Sequence, residues 1–90
     1  MSETPDIRRK RLLFRSWHRG MREADLLLGP FAERQLPSMS DGDLDRFEAL
    51  LEERDDALVA WISGLAEPPA AQDGALLRQI RDFHARPRSA

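Results

Sequence analysis

The sequence predicts an all-α fold, a small five-helix bundle in a single domain. Three observations carry that prediction. Apolar residues recur at three- and four-residue spacing in five separate stretches. Capping residues and prolines stand at the starts and ends of those stretches. No segment alternates with period two, β-branched residues are scarce, and no repeat of fixed length is present.

The first helix starts at Thr4-Pro5, a capping residue followed by a proline whose fixed φ and missing N–H do no harm there. It is predicted to run to about His18. Leu13, Phe14 and Trp17, with the stem of Lys10 alongside, form an i, i+3, i+4 stripe expected to pack inward, while Arg8, Arg9, Arg11 and Arg15 point elsewhere. Gly20 interrupts the pattern. A second helix follows through Met21, Ala24, Leu27, Leu28 and Phe31, and Pro30 within it should kink or divide it, leaving a short second piece to about Leu36. After Pro37-Ser38, Ser40 with Asp43 three residues on reads as an N-cap followed by first-turn acids that favour the helix dipole.

The third helix carries Leu44, Phe47, Leu50 and Leu51 on one face. Asp55 or Asp56 caps a fourth, whose Leu58, Trp61, Ile62 and Leu65 have the cleanest amphipathic spacing in the chain, before Gly64 and Pro68-Pro69 stop it. Beyond an Ala-rich linker, Asp73 caps a fifth helix with Leu76, Leu77, Ile80 and Phe83 inward, ending before Pro87. The whole chain, 1–90, reads as one helical domain with its core at about 5–85 and flexible tails at 1–4 and 86–90.

Ninety residues allow only a modest core. With no Cys and two His, there is no material for a disulfide framework or a thiolate metal site. A hydrophobic content of 41% is too high for a wholly disordered chain. The longest apolar run ends at Gly29-Pro30, far short of the roughly 20 residues of a membrane span. The polar start, Met1 to Asp6, runs straight into a basic helix with no room for a signal or transit peptide, so a bacterial cytoplasmic location is the expectation.

Net charge is only −2, yet Arg8, Arg9, Lys10, Arg11, Arg15, Arg19 and Arg22 lie in a stretch without an acid, and residues 41–56 are strongly acidic. The simpler reading is two solvated helix faces that attract each other. The other is a basic face offered to a partner.

Little in the chain suggests catalysis. His18 and His84 are far apart and fit no metal-binding spacing, the serines lack a nucleophile-elbow context, and the five glycines are too dispersed for a phosphate loop. No stably bound cofactor and no enzymatic activity are expected. One constellation stands out, Arg19-Gly20-Met21-Arg22-Glu23 at the junction of the first two helices. Arg19 and Glu23 are four apart, but with the base first, the weaker order for an intrahelical pair. Gly20 requires either φ > 0 or a backbone that must come close, from this domain or from a partner.

The segment from Arg11 through Asp25 resembles the signature of the succinate dehydrogenase flavinylation factors, the FAD assembly factor family called SdhE in bacteria and succinate dehydrogenase assembly factor two in mitochondria. Pro30-Phe31-Ala32, the Met39-Ser40-Asp41 helix start and the pattern from Leu44 to Ile62 extend the likeness over roughly residues 8–65. The resemblance implies a five-helix bundle, expected to be monomeric, that binds the flavoprotein subunit of succinate dehydrogenase, with fumarate reductase as a further candidate client. It implies promotion of covalent FAD attachment to a histidine of that subunit. Arg19, Gly20 and Glu23 would then lie at the client contact. Met21 and Asp25 match the extended motif, Arg11 stands where mitochondrial-type members also carry Arg, and His18 and Arg22 complete the expected partner-binding set. Trp17 and His18 depart from many members, which have polar or basic residues there.

Two other readings remain, one from the residues and one from a label that relatives of the family it resembles have carried. A basic first helix could bind nucleic acid, although the acidic stretch repels a polyanion over much of the surface, so no nucleic-acid partner is expected. An antitoxin-like or membrane-peripheral regulator is the other.

Overall fold

The computed structural model describes residues 3–85; residues 1–2 and 86–90, with the expected tail and the stop before Pro87, lie outside the described residues. The helices are α1 (Pro5–Trp17), α2 (Arg22–Gln35), α3 (Asp41–Leu51), α4 (Asp55–Ser63) and α5 (Gly74–Ala85), with a 3₁₀ turn, Leu36–Ser38, after α2. The five predicted helices are all present, and there is no strand among the described residues.

Caps at the predicted residues start three of them. Thr4 Oγ1 accepts from the Ile7 backbone at 3.2 Å. Ser40 and Asp43 form a reciprocal capping box, and Asp73 Oδ1 accepts from the Leu76 backbone at 3.0 Å. At α4 neither aspartate is the cap: Arg54 holds that position without a side-chain capping bond, and Asp55 and Asp56 lie in the first turn.

Pro30 does not divide α2. Proline removes one backbone bond, here to the Leu26 carbonyl, and the residues around it, Leu28, Gly29, Phe31 and Ala32, are all buried and hold both halves of the helix in the core. The carbonyl of Leu27, in the same turn, accepts from His84 Nε2 of α5 at 2.7 Å. The separate short piece expected up to about Leu36 is therefore absent: residues 31–35 continue α2, and the 3₁₀ turn begins only at Leu36.

α2 is the central element, in contact with α1, α4 and α5. The core joins Leu12, Leu28, Phe31 and Leu36 to Leu44, Phe47, Leu50, Leu51, Leu58, Trp61, Ile62, Leu76, Leu77 and Ile80. The predicted faces of α3 and α5 are thus inside, with Phe83 half-buried. Leu65 is not. It lies beyond Gly64, where α4 has already ended, and is 82% exposed.

The largest correction concerns α1. Its buried residues are Leu12 and Ser16; Leu13 and Trp17 are half-buried, and Phe14 is 62% exposed. Ser16 is tolerated inside because its hydroxyl donates to the Leu12 carbonyl at 2.8 Å. This orientation lays the arginines of α1 along α3. Arg8 bonds Asp45 and Glu48, Arg11 bonds Glu48 and Glu3, and Arg15 lies 3.4 Å from Glu52. Arg9 donates to the carbonyls of Leu36 and Met39. The opposed charges are therefore two helix faces bound to each other.

Candidate functional site

The corner between α1 and α2 is built from residues 18–21. His18 ends α1, and its Nδ1 lies 2.8 Å from the Phe14 carbonyl. A carbonyl only accepts, so Nδ1 carries the proton and Nε2 is left on the solvent side. The imidazole stacks on Phe14, with ring centroids 3.9 Å apart and planes 16° from parallel.

Arg19 turns the opposite way. Its side chain is only 9% exposed. Nε donates to Asp55 Oδ1 at 2.7 Å, Nη1 to the Leu51 carbonyl at 2.7 Å, and Nη2 to the Glu53 carbonyl at 2.9 Å. Leu51 is the last residue of α3, where carbonyls lack helical donors and the dipole favours a cation. Asp55 opens α4, where the dipole favours an anion. One guanidinium thus clamps the α3–α4 link against the corner.

Asp25 holds the corner from the other side. Its Oδ1 accepts from the Arg19 backbone N–H at 2.6 Å. Between these two anchors the chain reverses at Gly20, whose φ is +51°. A Cβ there would come 3.4 Å from Asp55 Oδ2, an ordinary contact, so the glycine answers to backbone conformation and not to crowding.

The remaining motif residues face out. Gly20, Arg22 and Glu23 are exposed and Met21 is half-buried as the uncapped N-cap of α2. Neither Arg22 nor Glu23 is in an ion pair with another described residue. The predicted site residues therefore divide. Gly20, Met21, Arg22, Glu23 and the exposed His18 meet at one surface, while Arg19 and Asp25 shape that surface from within. Arg11 lies almost two turns earlier on α1, engaged by Glu3 and Glu48. Glu48 is in turn held below the usual carboxylate range: the Arg11 hydrogen bond contributes most and outweighs partial burial, and Arg8 adds to it.

Three details of the structure around this corner had no signal in the spacing. Asp55, the partner of Arg19, is 36 residues away in sequence. Phe14 read as a core residue. Trp17 lies against Gly29, where an added Cβ would sit 2.3 to 2.6 Å from indole carbons, and its Nε1 donates to Glu33 Oε1 at 3.0 Å.

Two hollows lie at the surface of the bundle. The larger, ≈ 240 Å³, lies beside the corner among Arg15, His18, Arg19, Glu53, Arg54 and Asp55. The other is ≈ 100 Å³. Both fall short of the roughly 300–1,000 Å³ of small-molecule pockets, and the charges lining the first are of mixed sign with Arg19 already bonded. Neither fits a dinucleotide. Among the described residues there is no group of three or more His, Cys, Asp or Glu able to hold a metal ion. No helix there is long and apolar enough to cross a membrane.

Comparison with known proteins gives this geometry a family. A family model described as the flavinator of succinate dehydrogenase matches residues 10–84. The chain belongs to that family. A relative from Candida glabrata named succinate dehydrogenase assembly factor 2, mitochondrial, is 34% identical over 87 residues, covering 92% of this chain and 57% of its own. Proteins of the same name from Danio rerio (34% over 83 residues, 90% of this chain and 52% of that one) and Meyerozyma guilliermondii (42% over 59 residues, 66% and 44%) are also similar. The chain spans about half the length of the curated relatives it matches.

These are assembly factors rather than enzymes by name, in agreement with the non-enzymatic reading of the sequence. The expected bacterial cytoplasmic location is overturned. The relatives are named mitochondrial and come from yeasts and a fish, not from a bacterial cytoplasm.

Proposed function

We propose that the chain is an assembly factor that docks, as a monomer, on the flavoprotein subunit of succinate dehydrogenase and promotes covalent attachment of FAD to a histidine of that subunit. The flavoprotein of fumarate reductase is a second candidate client. The observation that carries the reading is the division of labour at the corner. Arg19 and Asp25 are bonded inward and brace a left-handed Gly20, leaving Gly20, Arg22 and Glu23 exposed. Membership in the flavinator family supports the client's identity.

The bond-forming chemistry belongs to the client and its flavin. A histidine nitrogen attacks well only when it is neutral and aimed, and the contribution of a docked factor is to hold the client conformation that aims it. Glu23, exposed on the first turn of α2, is placed to order an imidazole or an arginine of the client. The backbone at Gly20 allows close approach because glycine has no side chain of its own and the residue is exposed. The nucleic-acid alternative loses ground here, since five of the basic residues it would need, Arg8, Arg9, Arg11, Arg15 and Arg19, are bonded within the domain.

Deletion of the gene, followed by in-gel flavin fluorescence of the host's succinate dehydrogenase, tests the reading. Loss of covalent flavin, restored by the wild-type chain and not by Glu23→Ala, is expected. Unchanged fluorescence in the deletion strain would remove the function.

A further inference from the structure

The outward side of α1 has no partner within the domain. Ile7, Lys10, Phe14 and His18 succeed one another at i, i+3, i+7 and i+11, along about 16 Å of helix, on the side opposite the buried Leu12 and Ser16. Ile7 is 55% exposed and Phe14 62%. On α2, Leu26 is 50% exposed and lies one turn beyond Arg22 and Glu23. Of the four large apolar side chains left exposed among the described residues, Phe14 and Leu26 thus lie about one turn from the corner, and Ile7 lies at the far end of the outward face of α1. Trp17 bridges from α1 to Glu33 on the exposed side of α2, so the two outward faces adjoin along that seam.

Charge on this surface differs from charge behind it. The arginines facing α3 are paired, whereas Lys10 and Arg22 have no carboxylate at ion-pair distance among the described residues. The Phe14–His18 pair is also preorganised: the stack and the His18 bond to the Phe14 carbonyl fix both rings before any partner arrives. A rigid aromatic face costs little side-chain entropy on docking, and aromatic anchors commonly dominate interface energetics.

We propose that the outward faces of α1 and α2 form one docking surface with the corner, with the stacked Phe14–His18 pair as its anchor. Its occupant is an apolar patch of the client flavoprotein rimmed by carboxylates that meet Lys10 and Arg22. The footprint then runs from the corner along α1 to Ile7. This inference rests on the assembly-factor reading.

The test is the affinity of the whole chain for purified succinate dehydrogenase flavoprotein subunit, with thermal melting of each variant measured alongside. Phe14→Ala and Lys10→Glu both lie opposite the core, so melting is expected to hold while affinity falls at least tenfold for each. Glu23→Ala reports on the corner separately. If Glu23→Ala weakens binding and both α1 variants bind as wild type, the extended surface is wrong and the corner reading survives. If the wild-type chain does not bind the flavoprotein, that reading fails and this inference with it. If the wild type sediments as a dimer, Phe14→Ala as a monomer, and client affinity is unchanged, the face serves a second copy of the chain and the proposal is overturned.

Discussion

Arg19 Nε donates to Asp55 Oδ1 at 2.7 Å, so the arginine of the Arg-Gly-x-x-Glu segment is bonded to its own scaffold across 36 residues of sequence. With two further bonds to the carbonyls of Leu51 and Glu53, all three guanidinium nitrogens have partners inside the domain. Arg19→Ala leaves Asp55 and two carbonyls without their donor. It should destabilise the fold by about 2–4 kcal/mol, the range for breaking a largely buried, hydrogen-bonded charge pair. Asp55→Asn, which keeps an acceptor, should cost less. Urea unfolding of both variants checks this, and an Arg19→Ala protein as stable as wild type would mean that the clamp contributes nothing.

Gly20 responds differently. At φ +51° a side chain costs roughly 1–2 kcal/mol, and Asn, which tolerates this region, costs less than Ala. Because an added Cβ would meet only Asp55 Oδ2, at 3.4 Å, Gly20→Arg should remain folded with a modestly lowered melting temperature and lose client binding. Circular dichroism melting paired with client co-precipitation separates the two effects. A Gly20→Arg chain that is folded and still binds the client at full affinity contradicts the corner's role.

Gly29 works by contact. Alanine is a better helix former than glycine by about 1 kcal/mol, yet here its methyl would sit 2.3 to 2.6 Å from the Trp17 ring. Displacing the indole should outweigh the propensity gain, and we expect Gly29→Ala to lose about 1–3 kcal/mol, as overpacking does. In a Trp17→Ala background the same substitution should become stabilising. A double-mutant cycle by denaturant unfolding measures the reversal, and its absence would show that the ring is not the obstacle.

The elements easiest to read from sequence were those whose determinants are local. The Ser40–Asp43 capping box, Asp73 at the start of α5 and the apolar faces of α3 and α5 are set by residues within one or two turns of each other. The face of α1 was not legible for a corresponding reason. Leu12, Leu13, Phe14 and Trp17 supply apolar residues around more than half the helix, so spacing alone admits more than one buried stripe. The orientation also has to bring Arg8, Arg11 and Arg15 to Asp45, Glu48 and Glu52, which belong to another helix. Ser16, polar in the sequence, became core through a bond to its own helix. At the corner the need for Gly20 was visible, but the inward turn of Arg19 depended on Asp55 and on the free carbonyls ending α3.

The same ion pairs make stability depend on acid. Arg11 and Arg8 hydrogen bonds hold Glu48 below the usual value for a glutamate, and Arg46 with the Leu76 backbone does the same for Asp73, in each case against partial desolvation. A carboxylate whose folded pKa lies below its unfolded one binds fewer protons in the native state. Its contribution is therefore complete above the unfolded value, about 4 for these residues, and is lost as pH falls through the folded value. The urea midpoint should stay flat with respect to these groups from pH 7 to about 5 and then decline. Glu48→Gln cannot ionise, so it should lower the midpoint at pH 7 and reduce the acid decline, bringing the two proteins together near the bottom of the range. Parallel curves with a constant offset down to pH 3 would show that the α1–α3 pairs do not supply the acid sensitivity.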